Sequence, residues 1–334
     1  MPVSPLPSPR KTIRGVHRWT LAATAGLLLL SGCSSGSGAK APAAGAPAAS
    51  AASSGSSSTA YPTDDVTSAI STDSALKAEL DSAVPGNNGS LILGTTLSPG
   101  LTGLPHAGTS SGGQQIGADI DLRNAIAKLL GITWNVQNGT FATIIPGVQN
   151  GKYQVGQDNF GVTAAREQVV DFATYLTDGQ AFLASTNSKL TTISTDTDLC
   201  GQTIGTGAGT TFQEILTKDA GDCAKAGKPA YTVDYFTDNS AIWLGLANGR
   251  IDLYFGPTLG LKYDAAHVAN VKFLSQFSST AVGFVTAKGS PLAKVLSDAV
   301  NKLIVNGDYA KILNKWDIDG YGVTTSQVNP APQL

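Results

Sequence analysis

Apolar residues between positions 90 and 316 occur in two repeating arrangements, short continuous runs and runs with helical spacing. Residues 91–94 form an apolar run that predicts a buried strand, and residues 121–130 place their apolar side chains on one helical face that Gly131 ends. Residues 132–136 predict the next strand, and the same order restarts at residues 202–205. Because strands alternate with helices, we expect a parallel or mixed α/β sheet, and the restart predicts two lobes.

The rest of the pattern adds further elements and one long loop. Residues 63–89 predict a helical prelude, with a helix at 64–83 and a turn at 85–89. Residues 98–117 are rich in glycine and lack periodicity, which predicts a long loop of the kind that often carries function. The remaining predicted helices lie at residues 210–216, 239–247, 292–304 and 308–316, and the remaining strands at 231–233, 251–255 and 280–286.

The N-terminus predicts export. Four basic residues between positions 10 and 18 precede an apolar run at 19–30, which is too short to span a bilayer but suits a signal peptide. The sequence Leu30-Ser31-Gly32-Cys33 then resembles the lipobox of bacterial lipoproteins, whose cysteine is lipidated after the leader is removed. The alternative is an ordinary secretory leader with an unrelated cysteine near its cleavage site. We expect a lipoprotein signal peptide at residues 1–32 and a chain anchored through Cys33 to the extracytoplasmic face of the cell membrane.

Composition predicts a flexible segment and argues against a nucleic-acid partner. Residues 33–62 are mostly Ala, Ser, Gly and Pro, which favours a flexible tether. The whole chain has 22 basic and 24 acidic residues. Removing the four basic residues of the leader leaves 18 against 24, a net charge near −6. A nucleic-acid partner would need a basic surface, so none is expected.

Cysteine usage agrees with export. Apart from Cys33, the chain has Cys200 and Cys223, an even pair that predicts a disulfide in an oxidising compartment. Two free buried thiols are the alternative. A metal site is not expected, because the chain has only three histidines and His17 lies in the leader.

Residues 141–172 hold the most specific signal. A short helical face ends at Gly151, a strand begins at residues 152–155, and a polar turn brings Arg166 close before Val169-Val170-Asp171-Phe172. The planar guanidinium of an arginine matches the two oxygens of a carboxylate. The run resembles the polar amino acid family of solute-binding proteins that feed ABC importers, which typically reads LIPALQSGKYD…TxxR…VDF. The later NGDYAKILNKW also resembles the ending that is common in this family, and the resemblance covers about residues 90–316.

The resemblance implies a two-lobed α/β architecture, the type II periplasmic-binding-protein fold, in which each lobe is a mixed sheet flanked by helices. Lobe 1 would comprise residues 90–184 and 281–320, lobe 2 residues 185–280, and residues 321–334 would be a C-terminal tail. The chain would cross between the lobes near residues 183–185 and 279–282. Two crossing segments make a hinge whose closure traps a ligand.

The resemblance also implies a carboxylate clamp. Arg166 would grip the carboxylate of the ligand; alternatively it is a surface residue that pairs with Glu167 or Asp171. Gly209-Thr210-Thr211 opens a helix whose N-terminus favours an anion and would be the lobe 2 side of the clamp, or else it only caps that helix. Phe141 matches an aromatic residue that packs along the ligand, although a core residue would look identical.

Three positions depart from the family pattern. Pro257 stands where an acidic residue usually holds an α-ammonium group, Gly161 where a hydroxyl residue is usual, and Thr96 where an aspartate is common. Because an unpaired buried cation is costly, these departures favour an organic acid, or an amino acid whose ammonium group is held by the predicted lobe 1 turn Gln157-Asp158-Asn159. Asp119 and Asp121 are expected to orient the start of their helix.

The expected function is a non-enzymatic solute receptor without a cofactor. It would be a monomer that traps a small carboxylate-bearing solute, either an amino acid or an organic acid, and delivers it to the permease subunits of an ABC transporter. No nucleophilic triad or Walker lysine is present, and His106 and His267 are interpreted as isolated surface or loop residues. One alternative is a cyclohexadienyl-type dehydratase of the same fold with Asp158 or His106 as acid or base. Another is a ligand-sensing partner of a membrane receptor.

Overall fold

The computed structural model describes residues 61–333, so the predicted leader, Cys33 and residues 33–60 of the predicted tether lie outside the described residues. The strands are β1 (Ser90–Thr95), β2 (Gly108–Thr109), β3 (Gln115–Ile116), β4 (Thr133–Asn138), β5 (Val155–Gly161), β6 (Val170–Ser185), β7 (Thr203–Gly207), β8 (Thr232–Phe236), β9 (Leu253–Pro257) and β10 (Val271–Ala287). The helices are α1 (Ser74–Ala83), α2 (Ala118–Leu130), α3 (Phe141–Gln149), α4 (Ala164–Glu167), α5 (Thr211–Lys218), α6 (Asp222–Lys225), α7 (Asn239–Ala247), α8 (Thr258–His267), α9 (Leu292–Asn306) and α10 (Asp308–Lys315). A bilayer-spanning helix, which would need both length and apolar composition, does not occur within residues 61–333.

Eight strands form a continuous hydrogen-bonded sheet in the order β4-β1-β5-β10-β6-β9-β7-β8. β4, β1 and β5 are parallel to one another, and so are β8, β7 and β9. Between these two groups lie β6 and β10, which are antiparallel to each other and to their outer neighbours. The two parallel groups are therefore the two predicted lobes, and the mixed α/β architecture is confirmed.

The long strands β6 and β10 carry the chain between the lobes. In β6, residues 180–184 pair with β9 of lobe 2, so the crossing lies near Gly179 and not at the predicted residues 183–185. In β10, Val282 pairs with Gly161 of lobe 1, which places the return crossing near Thr280. A Cβ atom on Gly179 would lie 2.3 Å from the Ser278 carbonyl oxygen, so only glycine fits this approach of the two strands.

Each lobe buries apolar side chains on both faces of its part of the sheet. In lobe 1, α1, α2, α9 and α10 cover one face, and α3 covers the other with Ile144 and Val148. In lobe 2, α7 and α8 contribute Ile242, Leu246 and Leu261 to one face, and α5 contributes Leu216 to the other. The sheet is therefore enclosed on both sides, as parallel strands require.

The ends of the described region differ from the predictions. The predicted helix at 64–83 is restricted to α1, which Asp73 caps, because the side chain of Asp65 instead binds the amide and hydroxyl of Thr67 and favours turns. The predicted tail at 321–334 is attached to β6: Gly322 and Val328 form β-bridges with that strand. The long loop at 98–117 contains the small hairpin β2–β3.

The disulfide between Cys200 and Cys223 is present. Cys200 precedes β7 and Cys223 lies on α6, so the bond joins the two ends of the segment that carries β7 and α5. Closing a loop of 23 residues restricts the unfolded chain and stabilises the folded one by about 3 kcal/mol.

Candidate functional site

A cavity of about 380 Å³ lies between the two lobes. Its walls are formed where β1, β5, β7, β8 and β9 end, together with the loop 95–107 of lobe 1 and one face of α8 in lobe 2. Ligands of open α/β sheets bind outside the carboxyl ends of the strands, and this cavity is in that position.

Arg166 is buried in the wall of the cavity with only 7% of its surface exposed. Its α4 turn is fixed by Thr163, whose hydroxyl accepts a hydrogen bond from the Arg166 amide. The guanidinium group donates from Nη1 to the Gly161 carbonyl at 3.0 Å and from Nη2 to the Gly209 carbonyl at 3.2 Å. No ion pair joins it to a carboxylate within residues 61–333, and burial lowers its pKa. The predicted alternative of a surface pair is wrong, because Asp171 pairs instead with Lys288.

Two aromatic rings flank the guanidinium group of Arg166. The Phe141 ring lies 5.5 Å and the Phe160 ring 5.8 Å from its central carbon, and the two rings are 4.8 Å apart. Phe141 also lines the cavity, whereas Phe160 is fully buried. Cation–π contact of this kind holds a guanidinium group in one orientation without neutralising it.

The N-terminus of α5 lies on the lobe 2 side of Arg166. Thr210 caps the helix by accepting from the Gln213 amide, and both Thr210 and Thr211 are buried and line the cavity. Gly209 is absent from the cavity wall: its amide donates to Gln213 Oε1, and its carbonyl accepts from Arg166. The capping interpretation of this turn is therefore correct for Thr210, while the free helix N-terminus at Thr211 remains available to an anion.

Gly161 lies beside the Arg166 guanidinium group and the start of α5. A Cβ atom at this position would lie 2.9 Å from Thr280 Cγ2, 3.8 Å from Thr211 Cγ2 and 4.0 Å from Arg166 Nη1. Because the Thr280 methyl group already occupies this space, the hydroxyl residue that is usual in the family would fit here only if Thr280 moved. Gly161 lines the cavity with its backbone alone.

Asp158 lies on β5 and lines the cavity, and its carboxyl oxygen accepts a hydrogen bond from the Thr96 hydroxyl at 2.6 Å. Burial raises the pKa of Asp158 to about 6 despite the hydrogen bond from Thr96. No basic side chain of residues 61–333 forms an ion pair with it.

The neighbours of Asp158 differ from the predicted polar turn. Gln157, Asp158 and Asn159 are part of strand β5, and Asn159 has a left-handed backbone with a φ of 51° that breaks the regular alternation of side chains. Gln157 is buried away from the cavity and donates to the Asp119 carbonyl. Asn159 lines the cavity but donates to Asp178 at 2.9 Å. Of the three candidate replacements, only Asp158 has a carboxylate facing the cavity.

His106 lies in the 95–107 loop, but it is buried between two carboxylates, so the interpretation as an isolated or surface residue is wrong. Its Nε2 lies 3.0 Å from Asp178 Oδ2, and its Nδ1 lies 3.7 Å from Asp119 Oδ1. Burial alone would lower the pKa of His106, but Asp119 and Asp178 outweigh it and raise the pKa to about 10. Local sequence carried no signal of this contact, because Asp178 is 72 positions away. His267 is exposed, as expected.

Asp119 and Asp121 do not orient the start of α2 as predicted. The cap of that helix is Gly117, without a side-chain hydrogen bond. Asp119 accepts from the Tyr175 hydroxyl and faces His106, whereas Asp121 accepts from the indole of Trp316 and pairs with Lys315. Both carboxylates are therefore used in contacts with distant elements.

Two acidic residues in the cavity wall, Asp238 and Asp264, escaped prediction, and Asp264 is the buried one. Asp264 on α8 is 2% exposed and lines the cavity, and its Oδ1 has no hydrogen-bond partner. Burial raises its pKa to about 8. Helix α8 was itself not predicted from the sequence, so no pattern singled out Asp264.

Away from the cavity, the carboxylates of Asp196, Asp219 and Asp222 lie within 4.8 Å of one another on lobe 2. Clusters of half-exposed acidic side chains are common without an ion, and no second feature at this cluster points to a metal.

The family comparison agrees with this geometry. The sequence model described as "Bacterial extracellular solute-binding proteins, family 3" matches residues 103–318. The chain belongs to this family. The matched segment includes Phe141, Arg166 and Gly209-Thr210-Thr211, as well as both crossings between the lobes.

Relatives of this family 3 protein include the arginine-binding periplasmic protein of Mannheimia haemolytica, 26% identical over 64% of this chain and 86% of the relative. Among solved structures, an ancestral arginine-binding protein bound to arginine is 30% identical, with a TM-score of 0.61, over 68% of this chain and 98% of that chain. The ancestral amino acid-binding protein AncCDT-1, a precursor of cyclohexadienyl dehydratase, is 26% identical, with a TM-score of 0.60, over 73% and 99% of the two chains.

The raised pKa of Asp158 predicts a pH-dependent gain in stability for Asp158→Asn. An ionised Asp158 is held without a counter-ion, so the folded state favours its protonated form. The resulting decrease in the free energy of unfolding is absent below the unfolded pKa of 3.8, grows as the pH rises, and is complete above about 6. We expect Asp158→Asn to stabilise the ligand-free protein at pH 7.5 by up to about 3 kcal/mol, and by less where cavity water screens the charge.

Urea unfolding of both proteins at pH 4 and pH 7.5 checks this expectation. Taking the difference between variant and wild type at each pH removes the contributions of other titrating groups, provided that His106 and Asp119 keep their contacts. An equal difference at the two pH values would contradict the account of Asp158.

Proposed function

We propose that the protein is the ligand-binding component of an ABC importer and that it traps an amino acid between its lobes. The observation that carries this proposal is Arg166, a buried guanidinium group at a cavity wall without a carboxylate partner in residues 61–333. Burying an unpaired charge is costly, and a ligand carboxylate would offset that cost. Membership of family 3 and the amino acids named for its relatives support the same class of ligand.

The ligand carboxylate binds between Arg166 and the start of α5. A guanidinium group has five N–H donors, and two of them already serve the Gly161 and Gly209 carbonyls, so three remain. The amides of Thr211 and Phe212 begin α5 and have no intrahelical acceptor. A carboxylate in the cavity between Arg166 and the start of α5 therefore meets donors from both lobes, and its binding favours the closed arrangement.

The α-ammonium group of the ligand binds Asp158. This carboxylate takes over the role that an acidic residue at the position of Pro257 would have, and Thr96 fixes its orientation. A simple organic acid would leave Asp158 without a counter-ion, whereas an amino acid neutralises both Arg166 and Asp158. This charge balance favours an amino acid over an organic acid.

Anchoring and transport complete the proposal. The lipobox at Leu30-Ser31-Gly32-Cys33 supports lipidation of Cys33 and attachment of a monomer to the extracytoplasmic face of the cell membrane. The composition of residues 33–62 supports a tether of the kind that lets an anchored receptor reach permease subunits. A sensing role would use the same cavity with a different partner.

The protein is proposed to bind its ligand without turning it over. Its relatives are named as binding proteins, and AncCDT-1 is itself named as an amino acid-binding protein. His106 is held between two carboxylates, and the elevated pKa keeps it protonated and unsuitable as a base at neutral pH. Asp158, whose pKa is about 6, is the one feature that favours a dehydratase. Turnover of a cyclohexadienyl carboxylic acid by the purified protein would contradict the binding role.

Replacing Arg166 tests the carboxylate clamp. We expect Arg166→Ala to weaken the binding of any cognate amino acid by at least about 100-fold, because the carboxylate would be desolvated without its bidentate partner. Isothermal titration calorimetry of both proteins measures the change. Arg250→Ala is the control, because Arg250 is exposed and pairs with Asp234 at the surface of lobe 2. Unchanged affinity in Arg166→Ala, with circular dichroism showing a folded protein, would overturn the clamp.

Replacing Cys33 tests the anchor. In cells that express the full chain, Cys33→Ser should abolish incorporation of a radiolabelled fatty acid and release the protein from the membrane fraction, because the acylated thiol is lost. Cys200→Ser is the matched control, because it removes a cysteine that is bonded to Cys223 and should leave the label in place. Equal labelling of wild type and Cys33→Ser would refute lipidation at this residue.

A further inference from the structure

Asp264 is a buried carboxyl group that the carboxylate clamp and the ammonium site do not use. It lies on α8, seven positions after Pro257, and the cavity is lined by Pro257, Gly260, Leu261 and Asp264. These spacings put the four residues on one face of the helix. Asp264 therefore faces the same cavity as Arg166, from lobe 2.

The surroundings of Asp264 leave its charge unmatched. Only 2% of the residue is exposed, its Oδ1 has no hydrogen-bond partner, and no ion pair joins it to a basic side chain of residues 61–333. The other titratable groups that interact with it are the phenols of Tyr254 on β9 and Tyr263 on α8. Neither phenol supplies a positive charge, and a buried aspartate in a protein core is normally paired.

The loop of lobe 1 closes this end of the cavity. Leu104 and Leu259 belong to the same hydrophobic core, and Thr102 and Gly103 line the cavity. Only 2% of Asp264 is exposed to solvent, which strengthens the attraction between its carboxylate and a cation. A bound cation would in turn stabilise the ionised form of Asp264.

We propose that Asp264 forms a second acidic subsite of the cavity, which binds the side-chain ammonium or guanidinium group of a basic amino acid. This inference rests on the proposed function, since Arg166 and Asp158 would hold the α-carboxylate and α-ammonium of the same ligand. Thr96, at the end of β1, is uncharged and cannot balance such a group. Asp264 supplies the negative charge that the aspartate common in the family at the position of Thr96 would have carried.

Asp238 is the other lobe 2 carboxylate in the cavity wall, and it has a different role. It is exposed and caps α7 by accepting from the Ala241 amide at 2.9 Å. An asparagine caps a helix as well as an aspartate does. Asp238→Asn therefore removes one negative charge from the cavity and leaves the cap, which makes it the matched control for Asp264→Asn.

Isothermal titration calorimetry with two pairs of probes tests the subsite. L-Arginine is compared with L-citrulline, and L-lysine with L-norleucine, because each pair differs chiefly in the charge of the side-chain end. We expect the wild-type protein to bind at least one cationic probe about tenfold or more tightly than its neutral counterpart. Asp264→Asn should reduce that ratio to within about threefold without weakening the neutral probe, and Asp238→Asn should keep the ratio of the wild type.

Three results would overturn the subsite while the proposed function stands. The wild type could bind neutral amino acids as tightly as cationic ones, Asp264→Asn could keep the wild-type ratio, or Asp238→Asn could lose as much discrimination as Asp264→Asn. Failure of the wild type to bind any amino acid in a thermal-shift panel of the standard twenty would instead overturn the proposed function, and the subsite with it. The comparison of cationic with neutral probes on the wild-type protein needs no substitution. It therefore remains decisive even if Asp264→Asn misfolds.

Discussion

The cavity depends on one physical constraint. Charged side chains are buried in its wall, away from water, without a partner of opposite charge. Arg166, Asp158 and Asp264 each line the cavity, and none forms an ion pair with another described residue. Burial accordingly moves the pKa of each group toward its neutral form. The ligand-free protein bears this electrostatic cost, and a ligand of complementary charge relieves it. In the proposed function, selectivity for a charged solute and weakened stability without that solute would therefore have the same origin.

The hinge keeps these charges at fixed positions on opposite lobes. Asp178, at the crossing in β6, accepts hydrogen bonds from the Gly179 and Leu259 amides through Oδ1. Its Oδ2 accepts from Asn159 and lies 3.0 Å from His106 Nε2. One carboxylate thus joins β5 and the 95–107 loop of lobe 1 to the start of α8 in lobe 2. Because buried charges with several donors resist rearrangement, the walls that carry Asp158 and Asp264 are tied to a common point.

Local sequence predicted the parts of the site that local interactions form. The Thr210 cap before α5 was predicted because the hydroxyl and the amide that it binds are three positions apart. The Thr163 cap before Arg166 has the same spacing but was not predicted. Strand β6 was not predicted, because Asp178-Gly179 in its middle has the composition of a turn and only the pairing with β10 overrides it. Strand β10 was predicted only over residues 280–286, whereas it begins at Val271. His106 and Asp264 acquire their roles from burial and from distant neighbours, which no local pattern records.

The most direct test changes the ligand and leaves the protein intact. L-Arginine, L-lysine and L-glutamine are each titrated into the wild-type protein beside the corresponding α-carboxamide, which keeps the side chain and the α-ammonium group but lacks the carboxylate. If Arg166 and the start of α5 recognise a carboxylate, every amino acid that binds should lose at least about 100-fold in affinity as its carboxamide. Comparable affinities for an amino acid and its carboxamide would contradict the account.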